Sequence, residues 1–281
     1  MQATGDFITI VPNDPVVAKH ISYYYFHVSN DKEYSSKFSF YPNYKHAITI
    51  YKNSDVDLSN DSSVVRTSDA ESLGCFYTIN TGKDFKVYIK GAFNKIGVVF
   101  NPLGINYFLD RPLGEMFNKL AGEFNYFGEG LNSVAEKVYN EQDPVKKGEL
   151  LDAFFKDRYC GFDDVIVKKA ITEILNSNGT IKVEELSDLT GVNRKTLLRL
   201  FKKHLCCSVE EYKKMVMFRN ALNYSQQSAD LSLTDVALYS LYYDQAHFIK
   251  HFKSVTHQSP KMLLSKLTKL GSQETYWNFE E

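Results

Sequence analysis

Hydrophobic positions change period once along the chain. Between residues 7 and 110 they fall in short runs rich in β-branched and aromatic residues: FITIV (7–11), ISYYYFHV (21–28), FSFYP (38–42), HAITIYK (46–52), FKVYIK (85–90) and KIGVVF (95–100). FITIV and AITIYK alternate apolar and polar positions, which points side chains to two faces as a half-buried strand requires. Stretches rich in Asn, Asp, Ser and Gly separate the runs and read as turns, among them KNSDVDLSNDSS (52–63) and NTGKD (80–84). Many short strands at near-regular spacing predict a small antiparallel barrel or sandwich.

From about Pro112 the spacing becomes three and four residues, the helical period. RPLGEMFNKLAGE (111–123) and LNSVAEKVYNEQD (131–143) carry it, and so does DPVKKGELLDAFFKDRY (143–159). Pro144 suits a helix start, where its missing N–H is harmless, and Leu150, Leu151, Phe154 and Phe155 then share one face. These helices hold no catalytic constellation and read as packing or dimerisation elements. From Phe162 onward the whole chain reads as helical. Asp163 or Asp164 caps residues 165–178, Asn178-Gly179 stops them, Asn193 caps 194–205, and Ser208 with Glu211 forms a capping box. The pattern therefore predicts an α+β chain with a boundary near Cys160-Gly161. Residues 1–160 form a β-rich domain with trailing helices, 161–270 an all-helical domain, and 271–281 a tail.

Two helical stretches repeat. VEELSDLTGVNRKTLLRLFKKHLCCSVEEY (183–212) and LTDVALYSLYYDQAHFIKHFKSVTHQSPKML (233–263) share a frame. Leu186 corresponds to Val236, Val192 to Tyr242, Leu197 to Phe248 and Phe201 to Phe252, and Asn193 to Asp244 with one extra residue before it. Each unit reads as helix, short turn, helix, the geometry that puts a second helix into the DNA major groove.

Composition adds little until the chain is split. The net charge is −1 over 281 residues. Residues 161–270 hold 16 Lys+Arg against 11 Asp+Glu, a surplus of five positive charges, and residues 1–160 hold 17 against 20, a deficit of three. The basic residues cluster, as in RKTLLRLFKKH (194–204), and a clustered basic face suits a polyanion, although it also serves as an ordinary solvated helix face. Four cysteines are too few and scattered for a disulfide framework or a zinc site. The chain shows no secretory signal and no apolar run long enough to cross a membrane, so a cytoplasmic protein with reduced thiols is expected.

The repeated block resembles the DNA-binding domain of the AraC/XylS family of transcriptional regulators. That family's second unit follows roughly A-x-x-x-G-[FY]-x-D-[QS]-[SA]-H-F-x-[RK]-x-F-[KR]-x-x-x-G-x-[ST]-P. Here it reads Ala237, Tyr242, Asp244-Gln245-Ala246-His247-Phe248, Lys250, Phe252-Lys253 and Ser259-Pro260. The first unit matches in Leu186, Gly191, Leu197, Arg199, Leu200-Phe201-Lys202, Ser208 and Tyr212. The chain departs from the pattern at Leu241, Cys206 and His257, where the family has glycine, and at Leu198, where a polar side chain is common. Residues 1–160 resemble more loosely the β-rich domains attached to such regulators, best over KIGVVFNPLGINYFL (95–109).

The resemblance implies a sequence-specific regulator with two reading heads on one connecting helix. Promoter DNA is the expected partner. RNA polymerase, a small-molecule effector and a second copy through the β-rich domain are further expectations, and no cofactor is called for. Base-reading candidates are Arg194, Lys195, Thr196, Leu198 and Arg199 in the first unit and Gln245, Ala246 and Lys250 in the second. Arg pairs with guanine, Gln with adenine, and an apolar side chain packs on the thymine methyl. Phosphate candidates are Lys202, Lys203, His251 and Lys253. Phe248 and Phe252 read as core, Asp244 as a cap, His247 as a locally packed side chain, and Tyr212, Met215 and Phe218 as the core of the connecting helix. His20, His27 and His46 lack metal-ligand spacing, and the aromatic stretches 22–28 and 39–44 read as an apolar effector pocket or as strand core. Two rival readings remain. In one the DNA heads have decayed and the chain acts through a ligand or protein. In the other the β-rich half is an enzyme, for which no nucleophile or acid–base pair stands out.

Overall fold

A computed structural model describes residues 5–79, 82–117, 119–226 and 232–280. Among the described residues the β-rich half and the end of the chain together form two six-stranded sheets, neither of them closed into a barrel. The first runs β1 (Asp6–Ile10), β2 (Ile21–Ser29), β9 (Phe93–Phe100), β4 (Ala47–Lys52), β7 (Leu73–Thr78), β10 (Ala121–Glu123) in spatial order. The second runs β11 (Leu267–Leu270), β12 (Thr275–Glu280), β3 (Ser35–Phe40), β8 (Phe85–Lys90), β6 (Ser62–Thr67), β5 (Ser54–Leu58). Side chains from both sheets share one core, with Tyr51 and Phe93 of the first meeting Phe38, Val87, Ile89 and Trp277 of the second.

Four expectations change. The second sheet is mixed, because β6 pairs with β8 in parallel. The stretch 52–63 contains β5 and the start of β6; its alternating exposed and half-buried residues suit a sheet edge, which tolerates polar side chains. Residues 111–123 give only a four-residue helix, α1 (Leu113–Met116), before β10; residue 118 lies outside the described residues. The end of the chain is not all helical, and residues 271–281 are not a free tail. β12 leaves β11 through a short turn and pairs with β3, with Trp277 opposite Phe40 and Phe279 opposite Phe38. The expected turn NTGKD falls partly on residues 80–81, outside the described residues.

The other face of the first sheet is covered by α2 (Gly128–Asn140) and α3 (Pro144–Asp157), which bury Leu131, Ala135, Val138, Leu151, Phe154 and Phe155. Asp143 caps α3 by accepting from the Val145 N–H, with Pro144 in the first turn. The helical half follows: α4 (Val165–Asn176), α5 (Val183–Thr190), α6 (Arg194–Leu205), α7 (Val209–Ser225), α8 (Leu233–Tyr239), α9 (Gln245–Thr256) and α10 (Pro260–Lys266). Asp164, not Asp163, caps α4, accepting from the Val167 N–H.

Candidate nucleic-acid interface

Leu186, Leu197 and Phe201 are fully buried where α5 crosses α6, and Phe248 and Phe252 are fully buried where α8 crosses α9. Both turns close in the same way. The Val192 N–H donates to Ser187 O at 3.2 Å, and the Tyr242 N–H donates to Ala237 O at 3.0 Å, each bond reaching back five residues. The residue between is left-handed in both, Gly191 at φ 71° and Leu241 at φ 58°. Gly191 adopts that conformation without a Cβ clash, whereas Leu241 does so at a cost. Cys206 (φ 58°) and His257 (φ 56°) end α6 and α9 in the same conformation. All three departures from glycine thus keep a glycine-like backbone.

Asn193 caps α6 by accepting from the Thr196 N–H, and Asp244 caps α9 by accepting from the His247 N–H. The extra residue before the second cap is Tyr243, which stands 91% exposed. Sequence alignment located the insertion but gave no sign that its side chain would project.

Arg194, Lys195, Leu198, Arg199, Lys202 and Lys203 are exposed on α6, and Thr196 is half-buried. Gln245, Ala246, Lys250 and Lys253 are exposed on α9. Among the described residues, no carboxylate pairs with Lys195, Arg199, Lys203, Lys250 or Lys253. Arg194 forms an ion pair with Glu184 of α5, and Lys202 lies 3.6 Å from Glu211. Exposed pairs of this kind contribute about 0–1 kcal/mol and yield to a phosphate. Thr234 Oγ1 donates to Gln245 Oε1 at 3.5 Å. His251 sits differently from the lysines. Its Nδ1 meets the Tyr242 hydroxyl at 2.6 Å, and burial, with Lys214 and His247 nearby, lowers its pKa to about 4. The ring is neutral at pH 7 and positions Tyr242. His247 is exposed, with its ring edge-on to Tyr242 at 5.3 Å.

Both units rest on the β-rich half by the far ends of their second helices. Asn106 Nδ2 donates to His204 O near the end of α6 at 3.0 Å, and the Asp84 N–H donates to Val255 O near the end of α9 at 3.1 Å. From α7 between the units, Arg219 Nε donates to Pro42 O at 2.8 Å and Nη2 to Tyr41 O at 3.2 Å. The N-terminal ends of α6 and α9, where base-reading side chains belong, remain open.

Among the described residues no group of three or more His, Cys, Asp or Glu side chains stands close enough to hold a metal. Among the described residues no helix is long and apolar enough to cross a membrane.

The family model described as "Helix-turn-helix domain" matches residues 186–266. No curated protein matches the chain. Among solved structures, ToxT from Vibrio cholerae is 14% identical and covers 94% of this chain and 98% of its own, with a TM-score of 0.47. Unsaturated-fatty-acid-bound ToxT from V. cholerae strain SCE256 is 14% identical over 85% of this chain and 97% of its own, with a TM-score of 0.47. A probable AraC family transcriptional regulator from Rhodopseudomonas palustris CGA009 is 21% identical over 36% of this chain and 96% of its own, with a TM-score of 0.32.

Proposed function

Taking residues 186–266 as an AraC-type helix-turn-helix domain, we propose that this chain is a DNA-binding transcription regulator that reads two successive major grooves. The observation that carries the reading is the pair of recognition helices, α6 and α9, built on the same turn and capped alike, with their N-terminal faces exposed. In this reading Arg199 and Arg194 seek guanine, Gln245 seeks adenine, and Leu198 packs on a thymine methyl, with Lys195, Thr196, Ala246 and Lys250 beside them. Lys202, Lys203 and Lys253 neutralise phosphates and make affinity fall with salt. His251 acts through Tyr242 rather than on a phosphate.

The β-rich half, 1–160, is the controlling domain, and 161–270 the DNA-binding domain. Control by a small molecule, a homodimer through the β-rich half, contact with RNA polymerase, a cytoplasmic location and the lack of an enzymatic role all belong to this proposal. The rival reading, with decayed heads, rests on the missing glycines and on the modest surplus of five positive charges; the left-handed turns at Leu241, Cys206 and His257 weaken only the first.

Recovery of bound fragments from sheared genomic DNA, followed by fluorescence anisotropy on the enriched duplex, tests the proposal. One duplex should bind on the order of 10³-fold or more tightly than random DNA, with a steep salt dependence. Equal affinity for random DNA at every salt concentration contradicts it.

A further inference from the structure

Lys95 is a lysine inside the β-rich half. It lies on β9 between His27 of β2 and Tyr51 of β4, and its residue is only 3% exposed. Aromatic rings surround the amine: Trp277 at 4.6 Å from Nζ to the ring centre, Phe38 at 5.2 Å, Tyr51 at 5.8 Å, Tyr25 at 5.9 Å and Phe93 at 6.0 Å. Among the described residues no carboxylate pairs with it, and burial alone lowers its pKa to about 7. Gly97, two residues along the strand, lets one wall of this cage form, because a Cβ there would run into the Tyr25 ring.

The amine borders a cavity of about 140 Å³ between the two sheets and α7. An apolar cavity of about 150 Å³ holds one benzene ring. The other cations on its wall hold polar partners, although Arg219 Nη1 has none among the described residues. Lys45 Nζ donates to Ser22 Oγ at 3.1 Å and lies 4.0 Å from Glu274, and Arg219 donates to the Tyr41 and Pro42 carbonyls. A carboxylate enclosed beside Lys95 would exchange its hydration for one cation among ring faces, a poor exchange for a buried charge. A neutral carbonyl compound brings in no charge. The iminium it forms takes the place of an ammonium that the rings already accommodate.

We propose that Lys95 is the attachment point for a small aldehyde of about one-ring size, held as an imine in this cavity. The amine lone pair attacks the carbonyl carbon to give a carbinolamine. The carbinolamine oxygen takes a proton from solvent and leaves as water, the carbon–nitrogen double bond forms as an iminium, and the nitrogen returns one proton to solvent to give the imine. One amine and one aldehyde give one imine and one water, with no oxidant or reductant. A desolvated lysine is the form that does this chemistry, because only the neutral amine is a nucleophile. At pH 7 about half of a lysine with pKa about 7 is neutral, against roughly one in 2,500 for an ordinary lysine of pKa ~10.4. The inference does not rest on the DNA-binding proposal, and its test reads attachment alone.

The test exposes the full chain at pH 7 to benzaldehyde with cyanoborohydride, which reduces the imine to a stable benzylamine, and maps the modified peptides by mass spectrometry. Lys95 should be modified on the order of 100-fold faster than the median lysine, with the reaction at that peptide lost in Lys95→Met. The pH profile of the wild-type chain provides a readout independent of how the variant folds: reaction at Lys95 should rise through about pH 7, not pH 10. Modification of Lys95 no faster than the other lysines overturns the proposal. So does protection of Lys95 by benzoate or oleate at concentrations below those at which benzaldehyde reacts, since that marks an anion site.

Discussion

The two helix-turn-helix units are alike in backbone and unlike in surface. Gly191 and Leu241 take the same left-handed turn, and Leu197-Phe201 and Phe248-Phe252 fill the same core slots. Their exposed sides diverge. The first unit exposes Arg194, Lys195, Arg199, Lys202 and Lys203; the second exposes Gln245, Ala246, Lys250 and Lys253, with Tyr243 projecting beside them. The duplicated fold sets where the two faces lie, and the side chains set what each contributes. In this account the first unit supplies most of the electrostatic affinity, and the second supplies a more neutral face that discriminates.

The largest effect tests the shared part of the comparison. Phe201→Ala and Phe252→Ala each remove a fully buried ring, and each should cost about 3–5 kcal/mol in denaturant unfolding. A cost well under 1 kcal/mol for either would mean that its unit lacks the packing described. The next test addresses the divergence. Arg199→Ala should weaken binding to the enriched duplex by about 1–3 kcal/mol and relax selectivity at one base pair. Gln245→Ala should relax selectivity in the other half-site, with a smaller loss of salt dependence than a Lys202→Ala/Lys203→Ala pair produces.

Smaller effects reside in the turns. Leu241→Gly should stabilise the chain by about 1 kcal/mol, because a half-exposed leucine leaves a left-handed backbone to glycine. Gly191→Ala should destabilise by a similar amount. Opposite signs at equivalent positions would show that the units share a turn at unequal cost. The smallest effect is in pH dependence. His251, His20 and His46 each have pKa values lowered by burial to about 4. The unfolded chain binds their protons near pH 6.5 and the folded chain only near pH 4, so stability is present above about 6.5 and lost as pH falls towards 4. His251→Gln should make that acid limb shallower in pH-dependent thermal melts. An unchanged limb would remove the second unit from it.

Much of this was legible in the sequence for a local reason. A helix-turn-helix unit is set by contacts close along the chain: caps at Asn193, Ser208 and Asp244, and paired apolar slots four residues apart. The C-terminal hairpin was not legible, because β12 gains its meaning from β3, more than 230 residues earlier. β5 was hidden by its polar edge position. Lys95 left a faint trace. Two-residue alternation puts it on the same face of β9 as Phe93, Gly97 and Val99, and a lysine on an apolar strand face is a cue that the run KIGVVF obscured. The exposed side chains of α6 and α9 were legible as candidates for DNA contact, whereas the contact of His251 with Tyr242 and the projection of Tyr243 needed three dimensions.

Hydroxyl-radical footprinting on the enriched duplex tests the central claim most directly. The account predicts two protected patches on one face of the helix, centred about one turn (~34 Å) apart, with Arg199→Ala thinning one and Gln245→Ala the other. A single patch, or one that neither substitution alters, would contradict it.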